Sequence, residues 1–195
     1  MKKLMFTLIL MLLGITVYAQ EEAMEQAEKS KKELRAEKKA AKKVERQAAD
    51  AEALVKSNAL LASKQWVLEA TRVYNKSGRS FNLDPNINFV SIQEKDGVVQ
   101  LSFTGLVGWN GIGGITLEGN VTRYEFKEPR KEGIGASVKA FMMTAPRSVD
   151  IDIRISSGNF ADATIRSNTT SGRIRFTGTL VHPTESSVYK GQRRL

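Results

Sequence analysis

Residues 149–180 read VDIDIRISSGNFADATIRSNTTSGRIRFTGTL. Val149, Ile151, Ile153 and Ile155 take every second position, and Asp150, Asp152, Arg154 and Ser156 fill the places between. A period of two with one apolar phase belongs to a strand that lays one face on a core and the other in water. Gly158-Asn159 turns the chain back. Ala161, Ala163 and Ile165 then oppose Asp162, Thr164 and Arg166. After Thr169-Thr170-Ser171-Gly172, the residues Ile174, Phe176, Gly178 and Leu180 oppose Arg173, Arg175, Thr177 and Thr179. Three half-buried strands joined by hairpin-length turns make an antiparallel meander.

Upstream the same language continues. Trp66, Leu68 and Ala70 alternate with Val67, Glu69 and Thr71, and Lys76-Ser77-Gly78 ends that run. A short segment with Phe81 and Leu83 stops at Asp84-Pro85-Asn86. Val90 and Ile92 share a phase, Asp96-Gly97 offers the positive φ angles of a tight hairpin turn, and Val99, Leu101 and Phe103 follow. Ile115, Leu117 and Val121 hold the odd phase but Tyr124 and Phe126 the even one, so a β-bulge is expected near Thr122-Arg123. Ile134 to Met142 alternates once more. A sheet of so many strands must close into a barrel or fold over into a sandwich. Meander order favours the barrel, with Gly119 and Gly178 as its bends. The fold class is mainly β, an antiparallel meander preceded by a long charged helix.

Four segments follow. Residues 1–19 carry a short basic start, an apolar run from Leu4 to Val17, and the small residues Val17 and Ala19 before Gln20. This is the pattern of a secretory signal peptide cleaved after Ala19, which places the product in the periplasm or outside the cell. Residues 20–64 contain no Gly or Pro and mix Ala with Lys, Arg and Glu, all strong helix formers. Glu52 and Lys56 have the favourable i,i+4 order. A heptad row of Ala27, Leu34, Ala41, Ala48, Val55 and Ala62 is accompanied by a poor second row, so the helix reads as mostly solvated. Only its last turns, with Leu54, Val55, Ala59, Leu60 and Leu61, are apolar enough to dock on the sheet as a lid. Residues 65–183 are the β domain, and residues 184–195 read as a frayed basic tail.

The chain resembles the DUF4251 family of secreted bacterial proteins. The likeness runs from about Trp66 to Leu180. It rests on Trp66-x-Leu-x-Ala70, on Leu101-Ser102-Phe103-Thr104-Gly105, on Gly119, and on Ser167 followed by Arg173-Ile174-Arg175-Phe176-Thr177-Gly178. The family's middle motif more often reads Leu-Pro-Tyr-x-Gly, where this chain has Ser102 and Phe103. The resemblance implies an export signal and a small β domain, with no activity attached and with the charged helix outside the shared pattern.

Chemistry is sparse. The chain has no cysteine, which excludes disulfides, thiol catalysis and a lipidated N-terminal Cys. Its single histidine, His182, sits at a strand end before Pro183, so neither a zinc site nor a Ser-His-Asp arrangement is expected, and no cofactor is implied. Asp150 and Asp152 share a strand face with Arg154, which a solvated face with cross-strand ion pairs explains. The glycines from Gly108 to Gly114 lack the following helix and Lys-Ser/Thr of a phosphate loop. Two groups remain as candidate ligand contacts. Trp109 and Asn110 lie in that glycine-rich stretch, where an aromatic residue covers either a core or a ligand. Arg166, Arg173 and Arg175 lie on neighbouring strands with one phase and form a basic outer patch. The formal charge of +9 suits an anionic partner, and export makes nucleic acid an unsuitable one. The expected partners are an envelope component or a protein, with peripheral membrane contact left open. Two classes fit: an exported non-enzymatic binding module, or a hydrolase of envelope glycans or lipids whose carboxylates are unidentified.

Overall fold

Isoleucine and valine on alternate positions do bring 149–155 into a strand, and each neighbour repeats the pattern. The computed structural model describes residues 2–75, 77–102, 114–129, 131, 133–145, 147–168 and 173–191, with side chains from residue 32 onward. Along the chain run α1 (Lys2–Ser63), β1 (Gln65–Tyr74), β2 (Ser80–Asn82), β3 (Phe89–Gln93), β4 (Asp96–Ser102), β5 (Gly114–Lys127), β6 (Ser137–Met143), β7 (Ser148–Ser157), β8 (Phe160–Ser167) and β9 (Arg173–Val181). All pairings are antiparallel, in the order β2-β1-β3-β4-β5-β6-β7-β8-β9. The first long strand also pairs with the last, Val67 opposite Val181 and Tyr74 opposite Arg175. That seam makes a closed eight-stranded barrel rather than a sandwich. The short β2 continues the edge that β3 leaves, meeting β1 at Arg72–Tyr74.

Closure needs bends, and two lie where glycine is required. A Cβ on Gly178 would sit 2.0 Å from the Glu69 carbonyl oxygen, beside a register shift between Ala70 and Arg72. One on Gly119 would sit 1.9 Å from the Met143 oxygen, close to the shift between Val121 and Arg123 that the phase slip predicts. The Asp96-Gly97 turn is corrected. Gln93 pairs with Asp96, so Glu94 and Lys95 make the turn, and Glu94 takes the positive φ of 56°. Gly97 lies inside β4, where a Cβ would approach Met142 Sδ to 2.5 Å. Glycine is there for packing, and the turn strain falls on a residue whose N–H donates to the Lys64 carbonyl at 2.8 Å.

The barrel interior is filled with side chains. Trp66, Leu68, Ile92, Met142, Ile151, Ile153 and Phe176 are buried in one cluster, with Ala163 directly across from Phe176 to make room. The last turns of α1 close one end. Leu61 is fully buried in the same cluster, and Leu54 and Leu60 pack against it. Val55 (68% exposed) and Ala59 turn away, because the docking face follows 54, 57, 58 and 61 at helical spacing. Ser57 is buried, and Asn58 Oδ1 accepts the Ala136 N–H at 2.8 Å. Trp66 Nε1 donates to the Tyr124 hydroxyl at 3.0 Å, which donates in turn to the Leu61 carbonyl at 2.5 Å.

Two units divide at residue 48. In the first, every described side chain from Lys32 to Ala48 is exposed. In the second, residues 184–191 differ from the frayed tail of the sequence reading. They run as a strap over the outer face of β1, β3 and β4. Gln100, on the outer phase yet fully buried, donates to the Ile87 and Tyr189 carbonyls at 3.0 and 2.8 Å and accepts from Thr116 and the Gly191 N–H. Ser186 reaches Glu69 at 2.8 Å, and Lys190 pairs with Glu118 at 2.9 Å. A buried amide with all its positions used ties the strap down.

Candidate functional site

With the interior occupied, the concave surface lies outside. A groove of about 890 Å³ crosses the outer face of β6, β7, β8, β9 and β1, walled at one side by residues 127–129 and 134–135. Alternation builds its floor. The inward phase of these strands is Val138, Ile151, Ile153, Ala163 and Phe176, so the outward phase is Lys139, Asp152, Arg154, Asp162, Thr164 and Arg175. Register then sets neighbours: Lys139 opposite Asp152, Arg154 opposite Asp162, and Thr164 opposite Arg175. The result is a polar ladder of both charge signs.

Part of that charge is committed. Arg166 on β8 donates to Asp152 on the neighbouring β7 in an ion pair. Asp162 Oδ1 accepts from the Thr177 hydroxyl at 2.5 Å. The Arg175 guanidinium lies over the Tyr74 ring, 4.1 Å from its centroid, which fixes its plane at one end of the groove. Lys127, Lys139 and Arg154 have no carboxylate within ion-pair distance among the described residues. A second, smaller concavity of about 170 Å³ shares Lys139, Asp152 and Arg166 and adds Arg123, Glu125 and Asp150.

The arginine patch of the sequence reading is brought together only in part. Arg166 and Arg175 line the groove, whereas Arg173 pairs with Arg166 in register but lies outside the lining. Trp109 and Asn110 fall outside the described residues, as does most of the glycine-rich stretch. Tyr74, Lys139, Asp162 and Thr164 are not among the candidates of the sequence, and Arg154 enters there only as part of a solvated face with Asp150 and Asp152. Their outward phase was readable, but which strands stood side by side was not. His182 Nδ1 lies 2.8 Å from the Thr184 hydroxyl in a local turn. Among the described residues no group of His, Cys, Asp or Glu could hold a metal ion. Chemically the groove can present planar guanidinium, hydroxyl and carboxylate groups to a polar ligand.

The DUF4251 domain of unknown function matches residues 46–180. The match corrects the expected start at Trp66. It takes in the helical turns that plug the barrel, where Leu61 lies in the core, Leu54 packs against it and Asn58 accepts the Ala136 N–H. A crystal structure of a DUF4251 family protein from Bacteroides eggerthii is similar to this chain, with a TM-score of 0.62 and 30% sequence identity, covering 76% of this chain and 99% of that one. No curated protein matches.

Proposed function

The chain belongs to the DUF4251 family, and from that premise we propose that it is an exported, non-enzymatic binding module of the bacterial cell envelope whose outer groove holds its ligand. One observation carries this reading: a packed interior beside a concave, polar, partly uncommitted outer face. A ligand has room there, whereas the described interior is occupied by packed side chains. Export rests on the leader pattern of residues 1–19, and a mature mass beginning at Gln20 is the expected result of N-terminal analysis.

Hydrolysis of envelope polymers would need two carboxylates, one held protonated by an apolar setting. Asp152 and Asp162 each already have a donor, and every described aspartate and glutamate is at least partly exposed. This favours binding over hydrolysis. Immobilised full chain should retain a component of envelope extract, and the double variant Lys139→Ala/Arg175→Ala should lose it with an unchanged melting curve. Retention equal in both would remove the groove from the reading.

A further inference from the structure

The lining of the groove narrows the class of ligand. It carries five cationic side chains, Lys127, Lys139, Arg154, Arg166 and Arg175, against the three carboxylates Glu128, Asp152 and Asp162. The two aspartates on the floor are engaged, one by Arg166 and one by Thr177. Arg154 and Lys139 stand beside them with no carboxylate in ion-pair reach among the described residues. An unpaired guanidinium and an unpaired ammonium on a mixed polar floor ask for an anion of low charge density that also offers many hydroxyls. A continuous run of phosphates fits poorly, because Asp152 and Asp162 would face it. Peptide recognition commonly uses an apolar pocket for an anchoring side chain or a free strand edge. Ile134 is the large aliphatic side chain exposed in the lining, beside Pro129 at the wall and the Tyr74 ring that Arg175 covers, and β7, β8 and β9 are paired on both sides. Ser137, Thr164 and the aspartates supply acceptors and donors suited to sugar hydroxyls, while Arg154 can take a carboxylate with two parallel hydrogen bonds.

We propose that the groove binds an acidic glycan, a chain of sugars bearing carboxylates, with Arg154 and Lys139 as the carboxylate contacts and Thr164, Ser137 and Asp162 as the hydroxyl contacts. This rests on the reading of the groove as a binding site. The volume is enough for a few sugar units, within the range of ligand sites in general.

The test is calorimetric titration of the full chain with a hyaluronan oligosaccharide, in which a uronic acid alternates with an uncharged amino sugar, and with a neutral chitin oligomer of the same length, both at physiological salt. Binding of the uronate alone is expected. Arg154→Glu and Lys139→Glu should each weaken it by about tenfold or more. Lys95→Glu makes the same charge change in the β3–β4 turn, away from the groove, and should leave binding within about twofold. Arg154→Lys keeps the charge without the planar fork and should fall between. Melting curves of all variants confirm that they fold. Equal affinity for the neutral oligomer, or equal loss in Lys95→Glu, overturns the proposal. So does failure of the uronate to bind. If the groove nonetheless retains an envelope component that Lys139→Ala/Arg175→Ala loses, the glycan assignment falls and the binding-module reading stands. If neither ligand nor component is retained, both fall.

Discussion

Ile153 and Asp152 are neighbours in sequence and opposites in environment. Ile153 is 2% exposed inside the barrel, whereas Asp152 lies outside in an ion pair with Arg166. Ile153→Asp places an unpaired charge in the core and should abolish folding. Asp152→Ala should cost roughly 0–1 kcal/mol in urea unfolding, as for other exposed pairs. Equal behaviour would mean a reversed strand phase. Tyr124 gives a pH-dependent case. Burial pushes its phenol up to about 12, against a smaller opposing effect of the Trp66 hydrogen bond. Its folded value lies above the ordinary value near 10, so the neutral form contributes fully below about pH 10 and its contribution is lost as pH rises toward 12. For this half-buried ring the loss should reach about 2 kcal/mol. Tyr124→Phe should be less stable at neutral pH by about 1 kcal/mol, through the hydrogen bonds to Trp66 and Leu61, yet show a flatter decline above pH 10. Parallel declines in chemical unfolding from pH 9 to 12 would exclude Tyr124 as the source. Phase at this scale was legible, because alternation alone puts Ile153 inside. The Tyr124 latch was not, since its partners lie 58 and 63 positions away.

At the scale of elements, α1 has two behaviours along one helix. Deleting residues 20–47 should leave thermal unfolding of the β unit nearly unchanged, since the described side chains of that stretch are exposed. Extending the deletion through Leu61 removes Leu54, Ser57, Asn58 and Leu61 and should cost at least about 2–5 kcal/mol, the usual loss for one buried leucine. A loss of cooperative unfolding in the shorter deletion would show that the charged part supports the fold. The docking end of the helix is legible as an apolar stripe, though that stripe includes the outward Val55 and Ala59 and leaves out Ser57 and Asn58. Polar residues can complete a docking face when their hydrogen bonds are met, and composition does not reveal that. The strap is illegible in sequence for the same reason: residues 184–191 are polar, and what holds them is the Gln100 amide at Tyr189 and Gly191, with Glu69 and Glu118 beside it. The hairpin at Asp96-Gly97 shows another limit, since a glycine demanded by Met142 looks in sequence like one demanded by a turn.

For the whole molecule, the closing seam joins strands more than a hundred residues apart. Meander order and the glycine bends made a barrel readable, but the groove depends on which outward residues become neighbours around the closed wall. That is set by strand stagger, which no local pattern encodes. Topology of this kind predicts slow folding, in milliseconds to seconds, because the long loop must close before the seam contributes. Stopped-flow refolding by Trp fluorescence checks this, and completion within microseconds would contradict it. The seam also has a meaning in the order of synthesis. A ribosome adding about 10 residues per second releases β1 roughly ten seconds before β9. Through that interval Trp66 and Leu68 are born without the strand that will flank them, and β1 keeps an open edge of the kind that recruits other chains. What precedes β1 out of the ribosome is a helix crowded with Lys, Arg and Glu. In the nascent chain it is the solubilising leader of an unfinished wall, before its last turns become the stopper of a finished one.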